Sequence, residues 1–94
     1  MMNRTTEEAV NRILQMEQLF DQVTDAIHHA PQTLHTPSAQ TAVRTLSEYL
    51  SGGDWLNDYE LDAQRRLPPT LKRGVLSQDG LYSLLQRVAE FHIL

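Results

Sequence analysis

The sequence predicts a small all-α bundle, and three observations carry the prediction. Apolar residues recur at helical spacing in three separate segments, start and stop signals bracket each of them, and no segment sustains the apolar-polar alternation of a strand. With 94 residues there is room for one core and one domain spanning 1–94. The expected architecture is two long antiparallel helices plus a C-terminal helix, with a short helix or turn near Trp55 closing one end.

The first helix is expected over 5–30. Thr5-x-x-Glu8 has the form of a capping box, in which the Thr side chain accepts from the third helical amide and the Glu reaches back to the cap's own N–H. From there Ala9, Ile13, Met16, Phe20, Val23, Ile27 and Ala30 recur at alternating spacings of four and three, a seam of heptad type. Glu7, Glu8, Glu17, Asp21 and Asp25 lie off that seam, and Pro31 ends the helix. Residues 31–37 carry two prolines and no period, so they read as the reversing loop.

Thr36 as cap and Pro37 at the first helical position open a second helix over 37–51. Its expected stripe is Ala39, Val43, Leu46 and Leu50, with Ala42 and Tyr49 beside it, and Gly52 or Gly53 is expected to end it in a left-handed conformation. Asp54 is the expected cap of a short helix over 54–62, which should fail before Leu67-Pro68-Pro69. Ser77 as cap and Asp79 in the first turn begin a last helix over 77–91, whose face is Leu81, Leu84, Leu85, Val88 and Phe91. Gly80 inside this helix suggests close packing against a neighbour.

Composition narrows function by exclusion. The chain contains 40% hydrophobic and 21% charged residues, within the ordinary globular range. It has no cysteine, hence no disulfide framework and no thiolate chemistry, which fits a reducing compartment. No apolar run approaches a signal-peptide core or a bilayer span, so a cytoplasmic protein without membrane contact is expected. The net charge of −4 is uneven: residues 1–30 hold five acids and two bases, while 54–76 hold four of each. Such a balance lacks the basic field of a nucleic-acid binder.

Residues 55–85 concentrate the unusual features: Trp55-Leu56-Asn57-Asp58-Tyr59-Glu60-Leu61-Asp62, then Leu67-Pro68, then Leu71-Lys72-Arg73-Gly74-Val75-Leu76-Ser77-Gln78-Asp79 and Leu81-Tyr82-Ser83-Leu84-Leu85. This pattern, with the upstream Ile13-Leu14-Gln15-Met16-Glu17, resembles the family catalogued as domain of unknown function 4298. The resemblance implies a small bacterial, cytoplasmic, helical protein and supplies no catalytic or binding residue. The chain departs from the family pattern in the proline-bearing 31–37 loop and at Gly80.

Each chemical constellation has a plain competitor. Asp58-x-Glu60-x-Asp62 begins like a calcium loop, but the sixth position is Ala63 where glycine is needed and the twelfth is Pro69 where glutamate is needed. A metal-dependent activity at Asp58, Glu60 and Asp62 is therefore outweighed by solvated or internally paired carboxylates. Arg65, Arg66, Lys72 and Arg73 beside that run suggest a local ion-pair network across the 67–71 turn; the competing reading leaves Lys72 and Arg73 free, beside Trp55 or Tyr59, to bind an acidic partner or nucleic acid. Burial of Trp55, Tyr59 and Tyr82 as core aromatics is favoured over display, with Asp58 or Asp79 as hydroxyl partners. His28, His29, His35 and His92 have no cysteine to help them hold zinc, and the first two suit a helix C-terminus. No cofactor is implied, and neither a nucleophile elbow nor a phosphate-cradling loop is present. The leading expectation is a noncatalytic protein-interaction module with an unidentified partner, or a homodimer joined through Ile13, Met16, Phe20, Val23 and Ile27.

Overall fold

The computed structural model describes residues 4–93. Four α-helices and two 3-10 turns follow one another: α1 Arg4–His29, a turn at Pro31–His35, α2 Pro37–Ser51, α3 Gly53–Ala63, a turn at Gly74–Leu76, and α4 Gln78–Ile93. The described residues contain no strand. Polar contacts at both ends of α2 mark its antiparallel course. Gln22 donates to Ser38 at 3.4 Å near its start, and near its end Tyr49 shares Asp58 with Arg12 of α1. The chain forms a rod of 47 × 19 × 18 Å, with α3 against Arg12 of α1 and Tyr49 near the end of α2, and the 64–76 segment against Glu17 and Asp21 of α1.

The α1 seam faces inward. Ala9, Ile13, Met16, Val23 and Ile27 are buried within the single chain, and Phe20 is half-buried against the same cluster. This corrects the expectation that the seam is left open for a second copy. Leu46, Val75 and Leu81 complete the centre of the core with zero exposure. On α2 the buried row is Ala39, Ala42, Leu46 and Tyr49, while Val43 and Leu50 sit at its flank. The expected stripe is thus rotated, because Tyr49 goes inward to reach a buried carboxylate.

The termini of the helices show which local signals prevailed. Thr36 caps α2, its side chain accepting from Ala39 N at 3.2 Å, and Pro37 follows as expected. Ser77 caps α4 by accepting from Gly80 N at 3.1 Å. A Cβ at Gly80 would lie 3.1 Å from Ser77 Oγ, so what crowds this glycine is its own cap rather than a neighbouring helix. Thr5 already lies inside α1, which begins at Arg4, the first of the described residues. Asp54 is not the cap of α3 either, since that position falls to Gly52, which has no side chain to offer. Gly52 is extended, with φ −86° and ψ 178°, rather than left-handed. A Cβ there would approach Glu48 O to 3.0 Å, so close backbone contact sets the need for glycine at this bend.

The left-handed residue stands instead at the other end of α3. Leu61 O accepts from Arg66 N at 3.0 Å and Asp62 O from Arg65 N at 2.9 Å, the paired bonds of a Schellman ending. Arg65 therefore adopts φ 58°, which L side chains other than Asn and Gly seldom occupy. Its side chain is exposed, so little is lost with it. Arg65→Gly is expected to stabilise the fold by roughly 0.5–1 kcal/mol; an unchanged or lower denaturant midpoint would show that this backbone is unstrained.

Candidate functional site

Asp58 has no exposed surface, and an isolated buried carboxylate is costly unless its lone pairs are filled. Arg12 meets it with a two-pronged fork, Nε to Oδ2 at 2.9 Å and Nη2 to Oδ1 at 2.5 Å. Tyr49 donates its hydroxyl to Oδ2 at 2.7 Å, and Asn57 donates to Oδ1 at 3.3 Å. Asp54, at the surface, approaches the outer edge of the same guanidinium at 4.0 Å. The hydrogen bond to Asp58 raises Arg12 above its ordinary value against the opposing effect of its own burial. Burial, then the Asp58 hydrogen bond, raises the Tyr49 hydroxyl far above its ordinary 10.0. This cluster joins α1, α2 and α3 at one end of the rod.

The irregular 64–76 segment is held by three further anchors. Trp55 Nε1 donates to Val75 O at 2.9 Å, while Val75 N donates to Glu17 Oε1 at 2.7 Å. Arg73 bonds Asp62 Oδ1 at 2.6 Å through Nε and the carbonyls of Leu71 and Pro68 at 2.7 and 2.9 Å. Gly74 lies so close to Glu17 that a Cβ would come within 3.2 Å of Oε1, which explains a glycine there.

These anchors revise the candidate partner-binding set. Trp55 and Arg73 are spent inside the fold, so neither is free to bind. Lys72 is exposed and pairs with Asp21 of α1 at 2.9 Å. Tyr59 is 46% exposed, stacked on Trp55 with ring centres 5.1 Å apart, and Tyr82 is 55% exposed, its hydroxyl accepting from Gln86. Both depart from the expectation of burial, and the hydroxyl that reaches Asp58 belongs to Tyr49. Asp58, Glu60 and Asp62 do not converge: Asp58 turns to Arg12, Asp62 to Arg73, and Glu60 to solvent. Among the described residues no three His, Asp or Glu side chains are placed to hold a metal. His28 and His29 lie exposed at the end of α1; the side chain of His92 is outside the described residues.

A surface groove of about 370 Å³ runs between α1 and the 68–72 segment. Val10, Leu14, Pro68 and Leu71 supply its apolar wall, Lys72 and Asp21 its rim, and Glu17 also lines it. Leu14 is 48% exposed although it sits midway along the longest helix. Glu17 is buried, yet its Oε2 has no hydrogen-bond partner. The spacing sets Glu17 off the seam, puts Tyr49 only beside the α2 stripe and gives Arg12 no role. Glu17 follows Ile13 by four and precedes Phe20 by three, which was the available sign that it borders the buried stripe.

The Asp58 cluster makes two expectations. Arg12→Met leaves the carboxylate uncompensated and should cost about 3–5 kcal/mol, whereas Tyr49→Phe should cost about 1–3 kcal/mol; Arg12→Met/Tyr49→Phe/Asp58→Leu, which removes the whole polar set, should recover much of the loss in a urea melt. Above pH 10 the unfolded chain releases the Tyr49 proton while the folded chain retains it. The native state then binds more protons, so stability falls as pH rises through that region. Tyr49→Phe should flatten this alkaline decline relative to the parent, as followed by thermal melting at successive pH values.

Neither curated proteins nor solved structures gave a match to the chain. One family model does, that of a domain of unknown function, DUF4298, over residues 13–93. The match takes in α1 from Ile13 onward, both turns, α2, α3 and α4, and it includes every anchor described above except Arg12. On that coverage the chain belongs to the DUF4298 family.

Proposed function

We propose that this chain is a noncatalytic protein-interaction domain that engages its partner through the groove between α1 and residues 68–72. The observation carrying this reading is Leu14, an exposed leucine beside Val10, Pro68 and Leu71 on a helix whose inward seam is otherwise covered. The chemistry-bearing side chains of the 55–76 segment support it by elimination. Trp55, Asp58, Asp62 and Arg73 are committed to holding backbone and helices in place, and Asp58 offers no surface to a substrate. Binding of nucleic acid or an acidic partner through Lys72 and Arg73 loses its support, because Asp21 and Asp62 already neutralise both cations. A homodimer through the α1 seam loses its support in the same way. The described helices include none long and apolar enough to cross a membrane. A cytoplasmic location belongs to this proposal and rests on the lack of cysteine.

A photo-crosslinking amino acid at position 14 in the native cell tests the reading, with position 87 on α4 as the control. A discrete adduct is expected from position 14 alone, and Leu71→Asp should abolish it without unfolding the domain. Equal labelling from both positions, or an adduct indifferent to Leu71→Asp, would overturn it.

A further inference from the structure

The outer ridge of α1 carries charge of one sign. Glu7, Asn11, Leu14, Gln18, Asp21 and Asp25 follow one another at spacings of four and three, and all are exposed. No basic residue interrupts this row, and its one apolar member is Leu14 at the mouth of the groove. Glu17, one helical turn from Asp21, brings a second carboxylate to the same place. Its Oε1 is used by Val75 N, while Oε2 is enclosed without a donor, an arrangement that ordinarily costs free energy unless something supplies the missing proton. The field of Glu17 reaches the rim: after the hydrogen bond and the charge of Asp21, it contributes to raising Lys72. Lys72 thus already shows which kind of group the place accepts, an ammonium paired with Asp21 at the rim.

We infer that the groove takes a basic segment of a partner protein, whose apolar residue packs on Val10, Leu14 and Leu71 and whose neighbouring lysine or arginine displaces Lys72 to share Asp21 and the unfilled oxygen of Glu17. This assignment rests on the interaction reading above and adds the chemistry of the partner. Because Oε2 is enclosed, the partner's cation reaches it only where the groove wall opens. Arg73 and Val75, held by Asp62, Trp55 and Glu17, fix the chain on the C-terminal side of Lys72. The comparable groove between α2 and α4 is lined by Leu34, Val43, Leu85 and Val88 with Gln40, Arg44 and Ser47, and among the described residues none of these holds a buried polar atom without a partner.

The test is an NMR titration of the intact chain, following the methyl groups of Val10, Leu14 and Leu71. Three short amphipathic peptides serve as probes, alike except that Lys, Gln or Glu alternates with Leu. The Lys peptide is expected to give saturable shifts that weaken with salt, the Gln peptide to bind roughly tenfold more weakly, and the Glu peptide not to bind. Glu17→Gln, which keeps an acceptor for Val75 N and is checked by its melting temperature, should lose about tenfold for the Lys peptide only. Lys72→Ala, which frees Asp21, should tighten the Lys peptide, a gain that a merely structural Lys72 would not produce. Equal binding of the Lys and Gln peptides would overturn the cationic partner while leaving an apolar docking groove. No shift with any peptide would overturn this inference alone, since the crosslink from position 14 decides whether the groove is an interface. A Glu17→Gln variant that melts normally and binds the Lys peptide like the parent would remove Glu17 from the site.

Discussion

The arrangement of this rod depends on one buried carboxylate. Asp58 lies on α3 without access to water, so the fold is stable only where donors converge on it. They come from Arg12 in α1 and Tyr49 in α2, 46 and nine positions away. Apolar stripes alone specify these contacts loosely, since helices can slide or rotate along one another at small cost. A guanidinium fork against both oxygens permits little sliding. Rotating α2 to present Val43 and Leu50 in place of Tyr49 would leave Asp58 short of a donor, and this accounts for the rotation of the buried row from the simple heptad reading. The cluster thus serves register more than net stability, which buried ion pairs supply poorly.

A second constraint follows from the irregular segment between α3 and α4. Buried backbone that is neither helix nor strand must find partners among side chains. Val75 is entirely buried, and both of its backbone groups are met by side chains from elsewhere, Trp55 for the carbonyl and Glu17 for the amide. Arg73 does the same for the carbonyls of Pro68 and Leu71. Trp55, Asp58 and Asp62 recur at spacings of three and four, so they occupy one face of α3. That face organises what packs against it, while Leu56 and Tyr59 remain outside.

Local chemistry made much of this legible in the sequence. Thr36 and Ser77 are strong caps with proline or acid next to them, so the starts of α2 and α4 were readable, and the α1 seam identified its buried face correctly. What failed was pairing at long range. Nothing in the neighbourhood of Asp58 names Arg12, and carboxylates at alternating positions look solvated until a partner is known. Asp54 and Gly52 show a milder failure: an acid in the first turn resembles a cap, and a glycine after a helix suggests a left-handed residue, yet backbone proximity to Glu48 decided the geometry. The groove was hidden for the same reason as the cluster, since its two walls lie some fifty residues apart in sequence.

These constraints divide the labour of the chain between two surfaces of the first helix. Its inward side carries Ile13, Val23 and, at the flank, Arg12 and Glu17, and it is where the segment most distinctive in sequence comes to rest. Its outward side carries the acidic row and Leu14, residues of ordinary type that no motif would single out. A segment can therefore be distinctive because its side chains must satisfy one another. Here Trp55 holds the carbonyl of Val75, and Asp62 orients Arg73, which holds the carbonyls of Pro68 and Leu71. Glu17 alone belongs to both sides, one oxygen fixing Val75 and the other unfilled beside the groove. That one side chain both lines the groove and holds the amide of Val75, whose carbonyl is held by Trp55 of α3.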